Sequence, residues 1–244
     1  MSEVTRIALW SGPRNISTAM MRAFENRDDA IVVDEPFYAF FLRATGLEHP
    51  VADEILSSQP NDWRDVAAQL TGPVPEGVTV FYQKQMAHHF LPEIGREWMK
   101  ALRHGLLIRE PRAMLSSYVL KREPATLEDL GFPQQVALYD WLLEETGQAP
   151  PVVDSRQVLE DPRGVLRALC EAFSIEFQES MLSWPAGKRD SDGVWADHWY
   201  DAVLSSTGFQ PYKPKDIQLT PELEALAAEA KLHYDYLFER RLKT

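Results

Sequence analysis

The chain has 244 residues, 45% of them hydrophobic, and its 37 acidic against 25 basic side chains give a formal net charge of −12. Such a charge opposes binding to bulk nucleic acid or to an anionic membrane, so neither is expected as a partner, and any anionic ligand has to be gripped by a local basic cluster. The lone Cys170 excludes an internal disulfide, no run of about eighteen apolar residues occurs, and Met1 to Trp10 holds too short an apolar stretch for a signal peptide, so a soluble cytoplasmic protein is expected.

Thr5 to Trp10 is a short, largely apolar run that ends in Ser11-Gly12-Pro13-Arg14-Asn15, and Ile16 to Phe24 follows with helical spacing: strand, turn, helix. Ala30 to Val33 reads as a second buried strand, Val78 to Tyr82 as a third, Gly105 to Ile108 as a fourth and Pro151 to Val153 as a fifth. Residues 51–75, richer in Ser, Pro, Asp and Gln, read as an insertion with short helices. Leu91 to Leu102, Ala113 to Leu120, Pro133 to Glu145 and Pro162 to Phe173 carry apolar residues at spacings of three and four, as helices do. Cys170 falls on the apolar face of the last of these with Val165, Leu166, Leu169 and Phe173, so core packing is expected for it. Thr220 to Leu242 reads as a long closing helix. Alternating strands and helices imply an α/β fold, one domain over residues 1–244 with a mostly parallel central sheet covered on both faces.

Ligands of such sheets bind beyond the carboxyl ends of the strands, where a helix N-terminus offers free N–H groups to an anion. Ser11 to Thr18 stands at such a place. Arg14 adds a full charge and five donors, and Ser17 and Thr18 add hydroxyls in the first helical turn. A plain capped turn uses the same residue types. The G-x-x-x-x-G-K-[ST] spacing of nucleotide triphosphatases is absent, since Ile16 and not lysine precedes Ser17.

Leu9 to Thr18 resembles the 5′-phosphosulfate loop of sulfotransferases: a proline, a basic residue, then a small pair that opens a helix. Arg14 stands where lysine is commoner in cytosolic members, and Asn15-Ile16 replaces the usual Ser-Gly. Leu107-Ile108-Arg109-Glu110-Pro111-Arg112, followed by a helix, resembles the family's 3′-phosphate motif, with Arg109, Pro111, Ser117 and Tyr118 at the motif's places. Leu159-Glu160-Asp161-Pro162 resembles the Glu-Asp segment after the last core strand. Lys188-Arg189, with Gly193 and Trp195, resembles the late Arg-Lys-Gly loop that closes over the 3′-phosphate, with Asp190 in the glycine's place.

The resemblance implies a three-layer P-loop-type fold, 3′-phosphoadenosine 5′-phosphosulfate as donor, and transfer to a hydroxyl or similar group of a small-molecule acceptor. Arg14, Asn15, Ser17, Thr18, Arg109, Ser117, Lys188 and Arg189 are then the expected nucleotide-binding residues. Glu35, after the second strand, resembles the base of tyrosylprotein and some bacterial carbohydrate sulfotransferases. Cytosolic members use a histidine two residues after a lysine at the end of the third strand; here Lys84 is followed by Gln85 and Met86, and His88 and His89 come later. Glu35 is therefore the expected base with His89 as its rival, and Lys84 is expected to help hold the transferring group. His88-His89 lacks further ligands at metal spacing, so no metal is expected. Two rival readings are a P-loop kinase or nucleotide hydrolase, and a non-catalytic nucleotide-binding protein of the same fold. Trp63, Phe81, Phe90 and Trp199 are candidates for either an acceptor pocket or the core. The sequence assigns no oligomeric state.

Overall fold

The structure, a computed structural model, describes residues 4–119, 125–214 and 217–243. Met1, Ser2, Glu3 and Leu120, on which parts of two expectations fall, lie outside them. In chain order the elements are β1 (Thr5–Ser11), α1 (Ser17–Glu25), β2 (Ala30–Asp34), α2 (Tyr38–Thr45), α3 (Ala52–Ser58), α4 (Trp63–Thr71), β3 (Val80–Met86) and β4 (Arg103–Ile108). They continue with α5 (Pro111–Tyr118), α6 (Leu127–Leu130), α7 (Phe132–Thr146), β5 (Val152–Asp154), α8 (Ser155–Glu160), α9 (Pro162–Ala172), α10 (Ala196–Trp199), α11 (Asp201–Leu204) and α12 (Pro221–Phe238). The strands form one all-parallel sheet in the order β2-β3-β1-β4-β5.

Alternate side chains of a strand point to opposite faces, and β1 shows what each face packs against. Ile7 and Leu9 join Met20, Met21 and Phe24 of α1 and Leu166, Leu169 and Cys170 of α9. Ala8 and Trp10 join Met99, Leu102, and Leu138 and Leu142 of α7. Farther along that second face, Leu106, Ile108 and Val152 pack with α5 and α12. The result is helix, sheet, helix, with Cys170 buried as its periodicity implies. Residues 51–75 hold α3 and α4; α3 packs on α2, with Ile55 against Tyr38 and Phe41. Among the described residues no helix is long and apolar enough to cross a membrane.

The closing helix α12 ends at Phe238, short of Leu242, and two further segments differ from the sequence pattern. Leu91 to Leu102 forms no α-helix: it holds a turn at Pro92-Glu93 and a 3-10 segment at Glu97–Ala101, because Pro92 and Gly95 interrupt the run. A Cβ at Gly95 would lie 2.8 Å from the Trp63 ring, so this close approach of chain to indole needs glycine. Strand β3 begins two residues later than Val78 and runs on to Met86, with all seven residues buried. Gln83-Lys84-Gln85 disguises it as a polar loop. Gln83 Nε2 satisfies its burial by donating to the Leu70 carbonyl at 2.9 Å.

The order places β1 beside β4, and the chain leaves β1 toward β2 but leaves β4 toward β5, on the other side. A crevice opens between such strands beyond their carboxyl ends. Fully buried Gln135 of α7 spans it, its Nε2 donating to the carbonyls of Trp10 and Leu107 at 3.1 Å each. Below the crevice the Trp10 indole N–H donates to His104 Nδ1 at 3.0 Å, which fixes His104 Nε2–H as donor to the Met99 carbonyl.

Burial pushes His104 down to about 4 from an ordinary 6.5, so the unfolded chain binds the proton first as pH falls. The His104 contribution is then complete above pH 6.5 and is lost toward pH 4, a change of about 3 kcal/mol. Asn at this position keeps an oxygen near the Trp10 N–H but does not titrate. Urea unfolding across this range is expected to show a flatter stability profile for His104→Asn than for the parent; identical profiles contradict the assignment.

Candidate active site

The loop after β1 is held so that its polar groups face the crevice. A Cβ on Gly12 would lie 2.3 Å from the Leu130 carbonyl oxygen, so only glycine lets this loop run against the end of α6. Asn15 braces the next turn: its Nδ2 donates to the Leu107 carbonyl at 3.0 Å and its Oδ1 accepts from Ile16 N–H at 2.9 Å. Helix α1 then begins with no side-chain cap and no acidic residue in its first turn. Its leading N–H groups and the positive end of its dipole are available to an anion.

Arg14 adopts φ +51°, in the left-handed region that a non-glycine residue rarely occupies. Its Nε donates to Ser117 Oγ of α5 at 3.2 Å and its Nη1 to the Trp199 carbonyl at 3.4 Å. Arg109 leaves the end of β4 and donates to the Arg14 carbonyl, while Glu110 and Pro111 start α5, with the Glu110 carboxylate capping Arg112 and Ala113 N–H. Among the described residues neither Arg14 nor Arg109 has a carboxylate within ion-pair distance. Burial pulls both guanidinium pKa values down, opposed by Asp201 at Arg14, and at Arg109 reinforced by the like charge of Arg14 and opposed by Glu110, Tyr212 and Asp154. Two partly desolvated cations side by side gain most from a shared anion.

Across the cavity the charge is arranged in the opposite way. Lys84, 1% exposed, directs its ammonium at Asp34 Oδ1 (2.8 Å), Glu35 Oε1 (2.6 Å) and the Tyr200 hydroxyl (2.6 Å). The Tyr200 hydroxyl donates to Asp34 Oδ2 at 2.7 Å and accepts from the Trp195 indole at 3.0 Å; Gly193 N–H donates to the same Asp34 oxygen at 3.2 Å. An ammonium has three donors, and all three are engaged. The Lys84 pKa rises well above its ordinary value although burial works against the charge, because Asp34, Glu35 and Tyr200 together outweigh it. Burial raises the Glu35 pKa, helped by Asp34 and opposed by Lys84. Glu35 also sits at φ +41°, its N–H held by the Lys84 carbonyl at 3.0 Å.

His89 lies stacked between Tyr38 (centroids 4.6 Å apart) and Phe41 (4.7 Å), with its Nδ1 buried and without a hydrogen-bond partner. Burial, then the neighbouring His88 and His49, holds its pKa well below the ordinary value, so the ring is neutral at pH 7.

Arg14, Asn15, Ser17, Thr18, Glu35, Lys84, His89, Arg109 and Ser117 line one cavity of about 550 Å³, together with Tyr38, Met86, Trp199, Tyr200 and Phe209. Lys188 and Arg189 do not line it. Lys188 pairs with Asp197 at 2.5 Å and Arg189 with Glu25 at 3.6 Å, in a loop pinned to α1 by fully buried Arg22 through Asp192 at 2.6 Å. Asp161 caps α9, accepting from Gly164 N–H at 2.9 Å, with Pro162 in its first turn. Of the four aromatic candidates only Trp199 lines the cavity; Phe81 is core and Trp63 and Phe90 pack against it. Sequence reasoning did not find Asp34 and Tyr200, and Tyr200 lies 116 residues from the lysine it touches, so no spacing pattern marks it.

A family model described as a sulfotransferase domain matches residues 5–228. Two curated Arabidopsis thaliana proteins are similar in sequence. Branched-chain-amino-acid aminotransferase-like protein 2 is 36% identical over 95% of this chain and 39% of its own length, and protein 1 of that name is 39% identical over 99% and 41%. The chain therefore spans about two-fifths of the length of these relatives. Among solved structures, a sulfotransferase from Alicyclobacillus acidocaldarius superimposes with a TM-score of 0.59 at 14% identity, covering 98% of this chain and 97% of that one. The sulfotransferase domain of the Synechococcus PCC 7002 olefin synthase gives 0.52 at 15% identity (93% and 94% covered), and a mouse sulfotransferase complexed with PAP gives 0.52 at 13% (96% and 90%). At these identities the likeness is one of fold.

Removing Lys84 leaves two buried carboxylates facing each other. Lys84→Met is expected to destabilise the protein by about 3–5 kcal/mol at pH 7, and adding Asp34→Asn and Glu35→Gln to recover much of the loss. A Lys84→Met protein as stable in urea as its parent contradicts this account of the cluster.

Proposed function

We propose that this chain, which belongs to the sulfotransferase domain family, transfers a sulfuryl group from 3′-phosphoadenosine 5′-phosphosulfate to the hydroxyl of a small acceptor that carries no anionic group. The observation that carries the reading is the pair of Arg14 and Arg109, without an ion pair among the described residues, beside the uncapped start of α1 and facing a cavity that also holds a carboxyl of raised pKa. The mouse sulfotransferase of like fold is complexed with PAP, the bisphosphate such a donor leaves behind, which supports the choice of nucleotide.

In this reading the N–H groups of the first turn of α1, the Ser17 and Thr18 hydroxyls and Arg14 bind the 5′-phosphosulfate, and Arg109 and Ser117 bind the 3′-phosphate. The acceptor oxygen attacks sulfur in line with the bridging oxygen, the donor S–O bond breaks, and adenosine 3′,5′-bisphosphate departs. Arg14 and the helix N–H groups stabilise the charge that develops on the departing oxygen, an effect worth about 3 kcal/mol for each well-placed donor. Glu35 takes the acceptor proton, and its raised pKa makes it a stronger base than an ordinary carboxylate. Burial makes His89 a weaker base than an ordinary imidazole, because its pKa is depressed.

The acceptor class follows from charge. Lys84 faces two carboxyls, Asp34 and Glu35, so the wall built from Tyr38, Met86 and His89 offers no net positive charge to a carboxylate or phosphate on the acceptor.

A ligand that binds only the native state stabilises it by about 2.7 kcal/mol at a hundred times its Kd. Adenosine 3′,5′-bisphosphate is expected to raise the melting temperature more than ATP does, and Arg109→Ala to remove most of that difference. Equal shifts with the two nucleotides would count against the donor. For the base, Glu35→Gln is expected to lower turnover about 10²- to 10⁴-fold while bisphosphate affinity, measured by calorimetry, stays within about threefold. His89→Asn is expected to lose less than tenfold by the same measure; the reverse ranking transfers the role to His89.

A further inference from the structure

Trp199 and Tyr200 are consecutive, yet they touch different charged groups of the cavity lining. The Trp199 carbonyl accepts from Arg14 Nη1 at 3.4 Å, at the anion-binding end. The hydroxyl of the next residue lies 2.6 Å from Lys84 Nζ, and that ammonium lies 2.6 Å from Glu35 Oε1, at the base. Tyr200 is anchored from behind by the Trp195 indole at 3.0 Å, and Asp34 is held by Gly193 N–H from the same segment. This segment continues through Val203 and Phe209 as one wall of the cavity.

With all three donors engaged, Lys84 has none left for a transferring group. Glu35 in turn sits at a backbone conformation that no regular element enforces, so its side-chain geometry depends on what grips it from outside. We propose that Lys84, Asp34 and Tyr200 form a positioning triad for Glu35, and that Tyr200 makes the orientation of the base depend on the cavity-covering segment from Gly193 onward. The inference rests on the reading of Glu35 as the base.

The charged and titratable groups that face Glu35 are Asp34 from β2, Lys84 from β3 and Tyr200 from the segment after α10. Their effects have opposite signs. Asp34 disfavours the charged form of Glu35, whereas Lys84 favours it directly and Tyr200 favours it by giving its hydroxyl proton to Asp34, which draws the Asp34 charge away from Glu35. The test follows the Glu35 carboxyl directly, by carbon-13 NMR titration of glutamate-labelled protein in which Glu35→Gln identifies the resonance. Asp34→Asn is expected to move the midpoint down, because the ammonium then serves Glu35 alone. Tyr200→Phe, which keeps the ring and its packing, is expected to move it up and to lower kcat without changing bisphosphate affinity. Unmoved midpoints, or shifts of the same sign, overturn the triad, since a merely structural role lowers stability without opposed shifts. Should either variant fail to fold, the other still fixes one sign. If the opposed shifts appear but Glu35→Gln turns over normally, the base assignment fails and with it the catalytic role of the triad. If Glu35→Gln is inactive and the midpoints stay put, the base survives and the triad does not.

Discussion

A buried ammonium has to be neutralised where it stands, and Lys84 imposes that requirement on three parts of the chain. It sits on β3, between β2 and β1, only 1% exposed. Asp34 and Glu35 must therefore end β2 at its level, and Tyr200 must arrive from far along the sequence. Removing one partner from such a cluster is much more damaging than replacing all of them, which makes it a strong constraint on geometry but a weak source of net stability. What the cluster supplies is position: it ties the ends of two strands to the segment that covers them.

The same cluster divides the cavity. On its side, one positive charge faces two carboxyls, and a neutral imidazole stacks between aromatic rings. On the other side, Arg14 and Arg109 stand beside a helix N-terminus with no carboxylate of the described residues within ion-pair distance, a local concentration of positive potential in a chain of net charge −12. Both sides also hold a non-glycine residue in the left-handed region, Arg14 and Glu35. Backbone strain of this kind persists where surrounding contacts over-determine the conformation, and here the Arg109 and Lys84 contacts at those residues do so.

Local chemistry was legible in the sequence wherever neighbours in the chain decide it. The turn from β1 to α1 reads from Gly12 and the apolar run before it, and the start of α5 reads from Pro111. Long-range partners were not legible. Gln83, Lys84 and Gln85 look like loop residues until the partners of Gln83 and Lys84, from α4, β2 and the segment after α10, are known. Lys188 and Arg189 look like an anion grip until Asp197 and Glu25 are seen to neutralise them. Leu91 to Leu102 has helical spacing, but Pro92 and Gly95 override it. For the two charged segments the charge was visible in the sequence, and the contact that decided its use lay elsewhere in the chain.

The central claim is that the two arginines and the start of α1 form one divided grip for a nucleotide phosphorylated at both ends of its ribose. A crystal structure of the protein with adenosine 3′,5′-bisphosphate tests it most directly. The account predicts the 5′-phosphate at the N–H groups of Ser17 and Thr18 with Arg14 beside it, and the 3′-phosphate at Arg109 and Ser117. A nucleotide bound elsewhere, or bound here with its phosphates exchanged, contradicts it.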